Sequence, residues 1–414
     1  MWIPGLRHAV GCGLLAASIL CCTPPACRAG AAEQPVDFSA LLREADNART
    51  SDHSRFLEII EKLGARRDEL SAGQRTYLRY LEAYRISYSG DYEAAIGPLA
   101  AIIKDSGDVT LRFRAGITLT NILALSAHYE EAYSRLNELL ELQPQVPDKA
   151  TQLQGFGIAA LLYNQAGQYD LALSNADKWI ANDMDGTAAC KGGCQKVEAL
   201  YRSGKLALDS PEIRQGLAGC DRIKDPVYKN IIRAFVARML MDKGRFAEVI
   251  KLLGDSYDEV QRTKYTRLTS EVDSILAAAY LAAGDSARAR SYAESAVAKA
   301  VRNEATKPLV DAYQILYGIA KRSGDLQSAL AFHEKYAEID KGYLTDTSAR
   351  TLAYQMVQQQ VADKKRQIDV LSERNQVLLL EQQVAEKSAE TERLYVALLI
   401  GALAVIALWA WRTK

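Results

Sequence analysis

Hydrophobic positions recur at intervals of three and four along most of the chain. Ile275, Ala278, Ala279 and Ala282 form one such stripe, and Leu136, Leu139 and Leu140 form another before polarity takes over near Gln143. This spacing puts apolar side chains on one face of a helix. Few segments alternate as strands do. Pro144, Pro147, Pro211, Pro226 and Pro308 fall between the helical stripes, where the ring does least harm. The pattern predicts helices from about Phe38 to Gly342. Two segments differ from it. Ala9 to Cys22 is short, apolar and small, and the run from Leu394 to Trp411 is longer and carries no charge.

The helical stripes are punctuated at regular intervals. Turn signals stand at Gly90-Asp91-Tyr92, Ala127-His128-Tyr129, Gly167-Gln168-Tyr169, Gly244-Arg245-Phe246, Gly284-Asp285-Ser286 and Gly324-Asp325-Leu326. The spacing is nearly constant except from 167 to 244, where two periods fit and Ser203-Gly204-Lys205 lies between. Five residues after the turn position stands alanine in most copies: Ala95, Ala132, Ala172, Ala289 and Ala329. Alanine there lets two helices approach closely. Four residues before the turn stands a large apolar or aromatic residue in several copies: Ile86, Leu123, Tyr163 and Tyr280. A fixed period of about 40 residues implies stacked helix pairs that bury their apolar faces only against neighbours, which makes a curved solenoid with a concave groove.

These elements resemble the tetratricopeptide repeat. The resemblance rests on the turn glycine followed by Asp or Gln and then Tyr, the alanine five residues on, and the aromatic residue before the turn. The clearest copies are 154–183, 271–300 and 309–341. The period exceeds that family's usual repeat of roughly 34 residues. The stretch from Asp183 to Pro226 departs most, with a loop bearing Gly and Cys and a poor turn. The implied fold is an all-α solenoid over 32–342.

Beyond Gly342 the composition changes. From Tyr354 to Glu392 there is no proline or glycine, and Gln, Glu, Lys and Leu dominate. A heptad frame places Tyr354, Val361, Ile368, Asn375 and Gln382 at a, and Val357, Lys364, Leu371, Leu378 and Ala385 at d. Its best stretch has Ile368, Leu371, Asn375 and Leu378 as core, where a buried Asn would specify the register of a two-stranded parallel coil. The alternative is one amphipathic helix packed on the last repeat. The coil is expected over 343–393. The uncharged run 394–411 follows, long enough at about 27 Å to cross a bilayer. Tyr395 stands at one end, Trp409 and Trp411 stand at the other, and Arg412 and Lys414 mark 412–414 as cytoplasmic. At the other end of the chain, one positive charge, the short apolar run and Ala29-Gly30-Ala31 read as a signal peptide over 1–31, with an uncleaved anchor or a lipid anchor at Cys21 or Cys27 as the alternatives.

Composition narrows the functional classes. With 51 basic and 51 acidic residues there is no electrostatic case for nucleic acid. Past the signal segment the cysteines are Cys190, Cys194 and Cys220. The glycines of Cys190-Lys191-Gly192-Gly193-Cys194 allow a local Cys190–Cys194 disulfide. The alternative is that all three are reduced or merely buried. No histidine lies near them for a zinc site. His53, His128 and His333 are far apart, and Asp183-Met184-Asp185-Gly186 lacks the ligand spacing of a calcium loop. No phosphate-binding, nucleophile-elbow or zinc-protease motif is present. The expectation is therefore no catalytic residue, no cofactor and no metal.

The order of parts resembles the extracytoplasmic region of bacterial tetratricopeptide sensor proteins, whose span leads into a GGDEF diguanylate cyclase or a histidine kinase domain. Neither motif occurs in these 414 residues. The resemblance implies a periplasmic, inner-membrane-anchored input module. It would bind a protein or peptide in the groove, dimerise through the coil and act on an effector outside this sequence. A static membrane-tethered scaffold for envelope proteins is the alternative.

Overall fold

The computed structural model describes residues 36–300 and 305–413. The expected signal segment 1–31 and Lys414 lie outside the described residues. Among the described residues the secondary structure is helical, and the helices pair in chain order. The pairs are α1 (Phe38–Ser51) with α2 (His53–Ala65), α3 (Ala72–Tyr88) with α4 (Tyr92–Asp105), and α5 (Val109–Leu125) with α6 (Tyr129–Leu142). Next come α7 (Lys149–Gln165) with α8 (Tyr169–Ala181), α9 (Gly193–Arg202) with α10 (Pro211–Ile223), and α11 (Pro226–Asp242) with α12 (Phe246–Thr263). The last are α13 (Thr266–Ala282) with α14 (Ser286–Lys299), and α15 (Lys307–Arg322) with the start of α16 (Leu326–Thr413). The first helix of each pair also packs on the first helix of the next, which makes this an all-α solenoid.

Local chemistry sets the helix starts. Asp52, Asp91, Asp108, Asp148, Asp225 and Asp285 each accept a hydrogen bond from a backbone N–H of the first turn, and Ser71 with Gln74 forms a capping box. These bonds satisfy donors that a helix leaves free at its start. Pro211 and Pro226 occupy the first helical position, where no N–H is needed. Pro98 lies inside α4, which the sequence pattern does not signal. It is exposed, so the carbonyl it leaves without a helical donor can meet water.

The turns share one geometry. Residues 90, 127, 167, 204, 244, 284 and 324 all have positive φ. After each of the last six, the next N–H reaches back to the carbonyl four residues before the turn position, as in Gln168 to Tyr163 at 2.8 Å and Asp285 to Tyr280 at 2.9 Å. This is the bond that closes a Schellman motif. It gives the residue four before the turn a backbone role as well as a packing one. Gly204 belongs to the same series, so α9 and α10 form a repeat pair where the sequence resemblance is weakest.

Ala127 is the one non-glycine in the series, at φ 63°. A Cβ in that region costs about 1–2 kcal/mol, and glycine gives back part of the gain through chain entropy. Ala127→Gly is expected to stabilise the fold by about 0.5–1 kcal/mol, read as a higher urea midpoint with unchanged slope. Five residues after the turns, Ala95, Ala132, Ala172 and Ala289 are fully buried, Ala329 nearly so, and Val249 takes the place in the sixth pair.

The array curves until its first helices meet its middle ones. Thr50 Oγ1, at the end of α1, donates to Asp225 Oδ2 at 2.6 Å, and Tyr88 Oη donates to the Thr263 carbonyl at 2.9 Å. The rings of Tyr88 and Tyr265 lie 5.3 Å apart, and Arg267 Nε donates to Tyr92 Oη at 3.0 Å. This seam is polar and aromatic, and the aliphatic cores on its two sides are separate clusters.

α16 runs for 88 residues without a break through Gly342 and Arg393. At 1.5 Å per residue its length is about 130 Å. After pairing with α15 it crosses to α6. There Ala353 and Val357 enter the core of the first repeats, and Tyr354 meets Tyr133 and Tyr163 edge-on at 5.5 and 6.0 Å. Tyr129 donates to Asp346, and Arg350 Nε donates to Tyr129 Oη at 3.1 Å. The frame's first a and d residues, Tyr354 and Val357, thus pack on the solenoid, and beyond Val357 every described residue is exposed. The last helix holds an exposed stretch long and apolar enough to cross a membrane.

Candidate functional site

The first helices of the first six pairs face inward and line a cavity of about 730 Å³. Residues 77, 114, 154 and 191 line it, and each stands at the same distance ahead of its turn position at 90, 127, 167 or 204. The same register on successive helices therefore presents Tyr77, Arg114, Gln154 and Lys191 to one space. From α1 come Asp46, Arg49 and Thr50, and from the start of α11 come Asp225 and Tyr228.

Most of these groups form one hydrogen-bonded network. Asp46 accepts from Arg114 and from Tyr77 Oη at 3.0 Å, and Arg49 Nε lies 2.9 Å from its other oxygen. Arg49 also donates to Tyr80 Oη at 2.8 Å and lies over the Tyr84 ring at 4.5 Å. On the far side Lys191 Nζ lies 3.6 Å from Asp225 and over the Tyr228 ring at 5.2 Å. Burial opposes ionisation of Asp46, yet Arg49, Arg114 and Tyr77 hold its carboxyl below the usual range. Burial pulls the Lys191 ammonium below its usual value, against the attraction of Asp225. Two arginines fix one aspartate, and neutral amides such as Gln154 face the same space. Such a surface can bind a polar ligand by charge and hydrogen bonds.

A second, outer cleft of about 490 Å³ lies beside the seam. It shares Thr50 and Asp225 with the inner cavity, so their hydrogen bond stands between the two spaces.

The residues singled out by sequence lie elsewhere. Gly90, Gly167, Gly284 and Gly324 sit in the turns, and Ala95, Ala172, Ala289 and Ala329 lie between paired helices. Tyr163 packs on α16, and Tyr280 stacks on Tyr292 at 5.5 Å. Ile368, Leu371, Asn375 and Leu378 are exposed.

The expected Cys190–Cys194 disulfide is corrected: Cys190 bonds Cys220, and Cys194 is a buried free thiol. The reason lies in the fold. Residues 188–202 are continuous helix, so Cys190 and Cys194 are one turn apart on a rigid backbone rather than at the ends of a loop. α10 crosses that helix closely at Gly216 and Gly219. A Cβ on Gly219 would lie 2.6 Å from the Ala189 backbone, so glycine is required there to bring Cys220 against Cys190. Asp183 accepts from the N–H groups of Gly186, Ala188 and Ala189, so it caps the irregular turn before Cys190. Among the described residues no cluster of His, Cys, Asp and Glu is arranged to hold a metal.

Comparison with protein-family models gives no match, and neither does comparison with curated proteins. Solved structures do resemble the chain. A Rap protein complexed with Competence and Sporulation Factor aligns at 11% identity over 80% of this chain and 98% of its own, with TM-score 0.52. NprR in complex with its cognate peptide NprX aligns at 14% identity over 78% and 84%, TM-score 0.41. The apo quorum sensor NprR from B. thuringiensis aligns at 13% identity over 78% and 97%, TM-score 0.44. The first, with the helix pairing and turn geometry, defines the class: a tetratricopeptide-like helical repeat fold.

Proposed function

We propose that this chain is a non-catalytic receptor that binds a peptide or an extended protein segment in its inner cavity and relays occupancy along α16. The observation that carries this reading is the cavity itself, flanked by the first helices of the first six pairs and lined in register by Tyr77, Arg114, Gln154 and Lys191. The Rap protein of like fold is complexed with Competence and Sporulation Factor, which supports a binding role for such an array. α16 is the natural relay. It is one unbroken helix joining the last pair, the third pair and the apolar segment after Arg393.

In this reading 1–31 is a cleaved signal peptide, 32–342 is the periplasmic binding domain, 343–393 is a coil and 394–411 crosses the inner membrane. The effector is a cyclase or kinase outside this sequence. The coil pairs two copies in parallel through Ile368, Leu371, Asn375 and Leu378. A ligand shifts this assembly only as far as it prefers one of two states. The test is cross-linking of single cysteines placed along 361–385 in membranes, with and without a bound peptide. A change in pattern supports relay, and no change supports the static scaffold instead. Asn375→Leu is expected to strengthen association of the coil and relax its register, measured as extra cross-links at neighbouring positions. An unchanged single register would count against the coil.

A further inference from the structure

One face of α16 serves two purposes. Up to Val357 the a and d positions of the heptad frame lie against the solenoid. Tyr354 meets Tyr133 of α6 and Tyr163 of α7, and Val357 enters the core of the first repeats with Ala353 beside it. Arg350, one heptad before Val357, donates to Tyr129. Beyond Val357 the same positions carry Val361, Ile368, Leu371, Asn375 and Leu378, all exposed. The helix does not break between the two stretches. A straight helix drifts from a seven-residue repeat by about 20° per heptad, or about 60° from Val357 to Leu378. The face offered to a second copy therefore points to the side of α16 on which the solenoid lies.

Paired helices run about 8–10 Å apart. In a parallel pair the second copy's helix would run upstream at that distance, on that side. α6 and α7 already occupy the place. About 16 Å of helix separates Val357 from Ile368. Two unbent helices cannot diverge in that length past even one helix pair, whose two layers measure about 20 Å. The hold on α6 and α7 is also small. Ala329, Ala353 and Val357 are the buried residues of α16, and Ala329 belongs to the pairing with α15. Elements with so few buried contacts open most readily.

We propose that docking of 343–357 on the solenoid and pairing of two copies through the coil exclude each other. The docked crossing keeps the chain unpaired, and its release permits the coil. This rests on the reading of 361–378 as a coil, and it names the two states between which a ligand would choose.

The sample is the full-length chain in membranes, in a Cys194→Ala background. Leu371→Cys reports pairing by oxidative cross-linking above that of the background. Ala353→Cys reports docking by its rate of maleimide labelling, with the exposed Gln358→Cys as the reference. Labelling of Ala353→Cys should be far slower than the reference. Ala353→Asp puts a carboxylate into the dock without touching an a or d position. Tyr129→Phe removes the hydroxyl from the solenoid side and leaves α16 intact. Each should raise cross-linking. Hydrogen bonds to charged groups contribute about a factor of ten or more, so Tyr129→Phe should shift the balance toward pairing about that far. Exclusion is reciprocal. Asn375→Leu, which strengthens the coil, should therefore speed labelling of Ala353→Cys several-fold.

Cross-linked dimers in which Ala353→Cys stays protected would overturn the exclusion and uphold the coil. So would faster labelling of 353 in Tyr129→Phe with cross-linking present but unchanged. No cross-linking in any variant would refute the coil, and the switch with it. Labelling of Ala353→Cys as fast as the reference would refute the dock.

Discussion

Asp46→Ala is expected to destabilise the fold by about 3–5 kcal/mol, because it strands two buried guanidinium groups at once. The carboxylate joins α1 to α5 through Arg114 and to α3 through Tyr77, and no other acidic side chain replaces it at those contacts. Urea unfolding at neutral pH measures the loss, and Asp46→Ala/Arg114→Met should recover part of it by removing one of the stranded charges. A loss under about 1 kcal/mol would mean that water reaches the site and solvates the arginines. The same contact sets a pH dependence. The folded-state pKa of Asp46 lies below its ordinary value of 3.8, so its contribution is fully present above that value. It is lost as pH falls through the folded pKa. The wild type should therefore lose stability in acid more steeply than Asp46→Asn, whose side chain does not titrate.

The second large effect concerns Cys190 and Cys220. The bond closes a loop with a sequence separation of 30. In the chain-entropy account such a loop is worth about 3–4 kcal/mol. Cys190→Ser/Cys220→Ser is expected to lower stability by that amount and to expose α9 and α10 to proteolysis first. Reducing the wild type should have the same effect, whereas Cys194→Ala should cost far less. Burial raises the Cys194 thiol well above its usual pKa, so it is not poised to attack the neighbouring bond. If the double variant kept its stability, the glycine-mediated crossing of α9 and α10 would be holding this repeat without the bond. A persistent disulfide also suits an oxidising compartment, in line with the proposed export.

The repeat architecture was legible because it depends on local rules. A left-handed turn position wants glycine, an N-cap wants aspartate, and two helices in close contact want alanine between them. Each rule acts over a short stretch and repeats, so one sequence displays it many times. The groove row was partly legible. Positions 77, 114, 154 and 191 share a register before the turn, but Tyr, Arg, Gln and Lys do not share a chemistry, so residue type hides the row. Once the turns are aligned, counting back by one fixed interval from each of them would have found it.

Three features were not legible, because each joins residues that no local rule links. The disulfide needed the crossing of α10 on the helix before it. The seam joins residues 175 apart, Thr50 with Asp225 and Tyr88 with Thr263. The return of α16 to α6 joins residues 217 and 221 apart, Asp346 and Arg350 with Tyr129. Such contacts follow from small rotations per repeat summed over the array, and periodicity does not reveal that sum.

The sequence by itself determined the helical class, the repeat, its turns and the apolar segment at 394–411, since these rest on propensity, capping and hydropathy within one or two turns of helix. Only the tertiary structure decided that the array closes on itself. That closure gathers Asp46, Arg49, Arg114, Lys191 and Asp225 into one buried space. A charge pattern of this kind exists only after curvature has brought distant helices together.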